Sequence, residues 1–213
     1  MNPFQPWHNE TLSLRTVSAL QANRFKACYH ATAAPAVAEL LEAIPLSATV
    51  GVAGSWTLQE IGLIAALEER GQHLLNHNKP GLSPEESLAI RRQQLTCDIF
   101  LTSTNALTLN GELVNVDGAG NRVAAMTFGP GKVFVVTGAN KIVPNIAAAQ
   151  ERIRLLAAPL NNKRLNRPNP CVTTGQCSDC QGASRICTIT SILHKQPLSS
   201  DISVIIIGEE LGF

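Results

Sequence analysis

Short apolar runs of strand length alternate along this chain with segments whose apolar residues recur at helical spacing. That alternation restricts the fold more than any other feature. The strand-like runs are Ala48 to Ala53, Cys97 to Thr102, Lys132 to Val136 and Asp201 to Ile207. The first helical pattern covers 11–28, with Leu12, Leu14, Val17, Leu20 and Ala27 as an imperfect stripe. Pro35 to Ile44 is clearer: Pro35 suits a first turn, and Val37, Leu40, Leu41 and Ile44 share a face. Thr57 and Glu60 have the spacing of a capping box; Leu58, Ile61, Ile64, Ala65 and Leu67 follow, and Gly71 closes that helix. Ser83-Pro84-Glu85-Glu86 places a cap, a first-turn proline and two acids at the start of a helix running to about Leu95. Asn145 to Ala157 puts Ile146, Ala149, Ile153 and Leu156 on one face. The expected fold class is therefore α/β, a three-layer domain with a mostly parallel sheet.

One region breaks the alternation. Asn110-Gly111 is the dipeptide of a type I′ turn, where both positions need positive φ. Leu113 to Val116 and Val123 to Thr127 flank a second turn region, so a small antiparallel meander is predicted. Pro159 to Pro170 holds three prolines and four asparagines and is predicted to form no regular element. The chain thus reads as a single domain, 1–213. Residues 1–158 form an α/β body, 159–195 a cysteine-rich segment, and 196–213 a terminal strand returning to the body.

Composition narrows the function classes. Apolar residues are 45% and charged residues 15%, the latter against roughly 25% in an average domain, so the chain is expected to fold. The formal charge of +1 argues against a protein held to nucleic acid by bulk charge, and no nucleic-acid partner is expected. Aromatics are 4%, which leaves the core to Leu, Ile, Val and Ala. Met1 to Gln21 carries no basic stretch followed by an apolar one. The longest strongly apolar stretch near either end, Val204 to Ile207, is far short of the ~20 residues of a membrane helix. A cytoplasmic protein with no membrane span is expected.

Three constellations could carry chemistry. The first is Gly51-Val-Ala-Gly54-Ser55-Trp-Thr57, between a strand and a helix start, where free amides could attract an anion. A tight capped turn with no ligand explains it equally well, because neither a P-loop lysine nor a complete dinucleotide fingerprint is present. The second joins Ser103 and Asn105 to Asn110-Gly111-Glu112 and to Asp117-Gly-Ala-Gly120-Asn121-Arg122. Turn chemistry accounts for Asn110-Gly111. It accounts less well for an acid, an amide and a cation among glycines, and polar residues at strand ends of an α/β sheet commonly line the site.

The third is Cys171-x5-Cys177-x2-Cys180-x6-Cys187, four cysteines within seventeen residues. In a reducing compartment such a set suggests metal ligation more than disulfides. Zinc would take the four thiolates tetrahedrally; a [4Fe–4S] cluster accepts looser spacing, and the irregular pattern favours it. Reduced thiols or two disulfides are the plain alternatives. Lys163, Arg164, Arg167 and Arg185 lie nearby in sequence and could offset the negative charge. The histidines form no ligand pair, and no Gly-x-Ser-x-Gly elbow occurs.

The order Gly51-x2-Gly54-Ser55-x-Thr57-x2-Glu60-Ile-Gly62, Thr102-Ser-x-Asn105-Ala-x-Thr108, Gly111-Glu-Leu, Asp117-Gly-x-Gly120-Asn121-Arg122-Val, Phe128-Gly129-Pro130 and Gly138-x-Asn140-Lys141-Ile142-Val143, with the terminal cysteines, resembles the LUD-domain family of lactate-utilisation proteins. The likeness runs from about Leu20 to Phe213. Ala53 stands where family members usually have a second glycine. The resemblance implies a fold like that of the ribose-phosphate isomerase, glucosamine-phosphate deaminase and CoA-transferase superfamily. It also implies participation in L-lactate oxidation beside iron–sulfur partner subunits.

The leading expectation is therefore a subunit of a redox assembly acting on lactate or a related hydroxy acid. Gly54, Ser55, Thr57, Ser103, Asn105 and Asn121 would form the small-anion pocket. Arg122 would clasp the carboxylate with its planar fork, Lys141 would assist, and the four cysteines would hold the cluster. The alternative is an isomerase or transferase acting on a sugar phosphate or acyl-CoA, with Glu112 or Asp117 as base or nucleophile and zinc as a structural staple. Against it, no second basic cluster stands out in the sequence to clamp a phosphate. A non-catalytic scaffold is the third reading, and a homo-oligomer is compatible with all three.

Overall fold

The computed structural model describes residues 2–213. In chain order it contains α1 (Gln5–Ala22), β1 (Lys26–His30), α2 (Ala33–Ala43), β2 (Val50–Val52), α3 (Trp56–Glu60), α4 (Leu63–Glu69), β3 (Leu74–Asn76), α5 (Pro84–Gln93), β4 (Ile99–Thr102) and β5 (Ala106–Thr108). These are followed by β6 (Leu113–Asp117), α6 (Asn121–Thr127), β7 (Lys132–Gly138), β8 (Ile142–Val143), α7 (Ile146–Arg152), α8 (Ala158–Arg164), α9 (Cys171–Thr174), β9 (Ile189–Leu193) and β10 (Ile202–Ile207). No helix among the described residues is long and apolar enough to cross a membrane.

Six strands form one sheet in the order β1-β10-β7-β4-β2-β3, and every neighbouring pair is parallel. Alternate residues feed two cores, as strand geometry requires. Phe134 and Val136 join Leu40, Leu58, Leu63 and Leu67 beneath α2–α4. Val133 and Val135 face the other way, with Leu20 of α1, Met126 of α6 and Leu107, Leu113 and Leu193 of a smaller sheet. The fold is the expected three-layer α/β arrangement. The smaller sheet has the order β8-β5-β6-β9 and is mixed; its outer face packs on Ala149 and Ile153.

Several local expectations are corrected. The first helix begins at Gln5, with a proline in its first turn, and ends at Ala22; Ala27 and Cys28 belong to β1. Val123 to Thr127 is helix, not strand. Asp117 Oδ1 accepts from the amides of Ala119 and Gly120 at 3.1 and 2.9 Å. Gly120 then takes the left-handed conformation from which α6 starts, and Val123, Ala125 and Met126 bury. The third strand of the meander is β9, paired antiparallel to β6 from Leu113↔Leu193 to Asp117↔Ile189. The 110–111 turn has positive φ at Gly111 but not at Asn110, which excludes type I′. The Gly111 amide donates to Thr108 O at 2.8 Å and the Thr108 amide to Glu112 O at 3.0 Å, the pattern of a turn closed by a bulge.

Pro159 does not end the helix that begins at Ile146. Ile153–Ala157 is one wide π turn, and the register shift brings Pro159 into the first turn of α8, where its missing N–H leaves no gap. The region beyond Pro159 is thereby tied into the body. Asn169 Nδ2 donates to Asn162 Oδ1 at 2.6 Å and to Ser184 O at 3.0 Å, while Ser184 Oγ donates to Asn169 Oδ1 at 2.6 Å. Both sheets contain a strand from this region, β9 in the small sheet and β10 between β1 and β7.

Candidate functional site

From β2 the chain runs outward to β3 and then returns to β4 on the other side of β2. Such a reversal leaves a crevice beyond the carboxyl ends of the strands. A cleft of about 330 Å³ lies there. Its walls include Gly54, Ser55 and Thr57 after β2, Ser103 and Asn105 after β4, Asp117 at the end of β6, Asn121 and Arg122 at the start of α6, and Lys141 after β7. These are nearly all the side chains singled out in the sequence.

Glu112 is the exception. Its carboxylate accepts from Thr108 Oγ1 at 2.9 Å and pairs with His194 Nδ1 at 2.9 Å, inside the hairpin. It belongs to a turn and not to the cleft. Glu112→Gln should leave ligand binding in the cleft unchanged and lower stability by about 1 kcal/mol or less, as read by titration calorimetry and thermal melting.

The turn after β2 works differently from a helix-end anion trap. Ser55 is the cap of α3, its Oγ accepting from the Leu58 amide at 3.3 Å. Thr57, placed in a capping box by its spacing, instead directs Oγ1 at Lys141, whose ammonium nitrogen donates to it at 2.9 Å and to Ser103 Oγ at 3.1 Å. Glu60 accepts from the Gly212 amide. Segment 209–213 passes over this point: Asn140 Oδ1 accepts from the Leu211 amide at 3.1 Å, and Phe213 lines the cleft. A methyl group added at Gly212 would stand 3.1 Å from Lys141 Nζ. Nothing in the local sequence announced this contact.

Arg122 is a clamp and not a free fork. Its Nη1 donates to Ser103 O at 3.2 Å and Asn115 Oδ1 at 2.6 Å. Nη2 donates to Asn105 Oδ1 at 3.0 Å and Val116 O at 2.8 Å, and Nε faces Asp117 Oδ2 at 3.3 Å. A guanidinium has five N–H donors, so none is left for a carboxylate ligand. The expected carboxylate contact is corrected on that ground: Arg122 supplies charge and holds the loops that carry Ser103 and Asn105.

Electrostatically the site is strongly positive. Arg91, Arg122, Lys141, Arg164, Arg167 and Arg185 line the cleft, against one carboxylate side chain, Asp117. A second basic cluster therefore exists after all, assembled from residues far apart in sequence. Lys141 is 2% exposed; burial first, then the charges of Arg152 and Arg122, push it down to about 7. Arg152, held down to about 10 by burial, donates from Nη1 to Asn105 O at 2.7 Å, while its buried Nη2 has no partner. His77, also on the wall, is lowered to about 4 chiefly by burial and secondly by Arg91, so it is neutral at pH 7.

The four clustered cysteines are free thiols and line one small cavity together. No three of their sulfurs lie within 4.8 Å of one another, whereas a tetrahedral zinc with bonds of about 2.3 Å needs sulfurs about 3.8 Å apart. The Asp179 amide donates to Cys177 Sγ at 3.4 Å. Arg185 donates from Nε to Cys187 O and from Nη1 to Cys180 O, at 2.8 and 2.7 Å. Arg185 and Ile186 line both this cavity and the cleft, so one wall separates thiols from cations.

Comparison with known proteins adds two findings. A family model described as the LUD domain matches residues 14–207. A crystal structure of a DUF162 family protein from Deinococcus radiodurans is similar in fold, with a TM-score of 0.55 and 15% identity, covering 93% of this chain and 98% of that one. No curated protein matches.

Proposed function

Because the chain belongs to the LUD-domain family, we propose that its cleft binds a small organic acid, L-lactate or a related 2-hydroxy acid, within a redox assembly that oxidises it. The carrying observation is the set of cations Arg91, Arg122, Lys141, Arg164, Arg167 and Arg185 on the cleft, against Asp117 as the one carboxylate side chain among its described lining residues. Burial is costly to the charged form of Lys141, whose side-chain contacts are the neutral hydroxyls of Thr57 and Ser103, and an anionic ligand supplies opposite charge beside it. In this reading Lys141, with Thr57 and Ser103 beside it, receives the carboxylate or takes the proton of the neighbouring hydroxyl. Its lowered proton affinity matches proton transfer near neutral pH.

We propose that Cys171, Cys177, Cys180 and Cys187 would hold an iron–sulfur cluster rather than a single zinc ion; in support, they line one cavity with no three sulfurs within 4.8 Å of one another, and each thiolate of a cluster binds its own iron. Such a group supplies one-electron transfer. Arg185, paired with Asp179 at 2.7 Å, holds the backbone carbonyls of Cys180 and Cys187 and stands on the cleft wall. Protein prepared without oxygen should carry iron and sulfide and show a broad visible absorption that dithionite bleaches. Iron-free, colourless protein of unchanged fold overturns this part of the reading.

The rim arginines Arg91, Arg164 and Arg167 favour a second reading, a ligand with more negative charge than lactate, such as a sugar phosphate or a CoA ester. Thermal-shift titration separates the two. Stabilisation by lactate or pyruvate supports the first; stabilisation by phosphates and CoA esters alone reverses the ranking.

A further inference from the structure

We infer that Cys28, His30 and Glu39 form a binding site for one divalent transition-metal cation of the zinc type, separate from the cleft and from the four-cysteine cavity. Cys28 and His30 stand two apart on the edge strand β1 and so project from the same face. Glu39 on α2 meets them there. Cys28 Sγ is 3.9 Å from His30 Nε2 and 4.0 Å from Glu39 Oε2, and His30 Nε2 is 2.6 Å from that same oxygen. The ligand atoms of a tetrahedral zinc, with bonds of about 2.0–2.3 Å, stand roughly 3.3–3.6 Å apart. Two of the three separations are within a few tenths of an ångström of that range. The third opens by rotation of Glu39, whose side chain is 48% exposed.

The donor chemistry is consistent. One thiolate and one carboxylate neutralise a divalent ion, and a neutral imidazole completes three protein ligands. Three protein ligands leave one position for water, as in open zinc sites. Thiolate and imidazole donors select zinc over magnesium or calcium. Two other readings of the cluster fit less well. A nucleophilic relay needs the histidine to face the thiol with one nitrogen and the acid with the other, yet Nε2 faces both. An ordinary His30–Glu39 ion pair leaves the convergence of the Cys28 sulfur on the same point without a role.

The test is equilibrium dialysis of the reduced, metal-free full chain against micromolar Zn2+, with zinc read by elemental analysis. Wild type should hold one equivalent per chain more than Glu39→Ala and Cys28→Ala, because the four-cysteine cavity contributes equally to all three. Equal uptake overturns the proposal. Glu39 lies on an exposed helix face, so its variant carries the comparison should Cys28→Ala melt at a lower temperature. Mg2+ in place of Zn2+ should show no difference; a difference of the same size with Mg2+ overturns the assignment to a thiolate site.

Discussion

Arg122→Ala should destabilise the protein by about 3–5 kcal/mol, the range for breaking a buried, hydrogen-bonded charge pair. For a chain of this size that is a fall in melting temperature of roughly 10 °C. The guanidinium satisfies Ser103 O, Asn115 Oδ1, Asn105 Oδ1 and Val116 O and pairs with Asp117. Alanine strands all of these acceptors together. Lysine restores the charge but offers three donors from one point, so Arg122→Lys should fall between wild type and alanine. The same loss should weaken ligand binding indirectly, because the loops bearing Ser103 and Asn105 are held through this group. A melting temperature for Arg122→Ala within about 2 °C of wild type would show that the clamp contributes little.

Lys141→Met should have the opposite sign. Folding lowers Lys141 to about 7, against about 10.4 in an unfolded chain. Between those values the unfolded state binds more protons, so stability rises with pH across this window and is lowest below it. Methionine removes the buried charge and with it this slope. The variant should therefore be more stable than wild type at pH 6–7 by an amount on the order of a few kcal/mol, with the gap closing towards pH 10. Thiols raised by burial, Cys28, Cys97, Cys171 and Cys187, titrate in both proteins, and the difference between the two curves cancels them. The same variant should lose any stabilisation by lactate or pyruvate. A gap that stays constant across that pH range would refute the assignment of a lowered proton affinity to the buried Lys141.

These two residues also show how far local sequence reaches. Periodicity and turn chemistry identified the alternation of strands and helices, the Ser83 cap and Pro84 start of α5 and the strand-end positions of Ser103, Asp117 and Arg122, but placed a capping box at Thr57 where Ser55 is the cap. Those signals act over a few residues. Val123 to Met126 was misread because so short an apolar run fits either period, and the choice rests on the Asp117 carboxylate gathering the amides of Ala119 and Gly120. Pro159 was misread because a register shift one turn earlier has no local mark.

The chain by itself therefore determined most of the strands and helices of the main sheet and its flanks, that this sheet is parallel, and which turns carry polar side chains, because hydrogen-bond geometry and apolar spacing are properties of neighbouring residues. Tertiary structure alone decided what those side chains do. Thr57, Ser103, Lys141 and Gly212 meet only because four chain segments converge at one end of the sheet. Whether Arg122 is free or bound, and whether Lys141 is charged, depends on donors, burial and neighbouring cations delivered by distant parts of the fold.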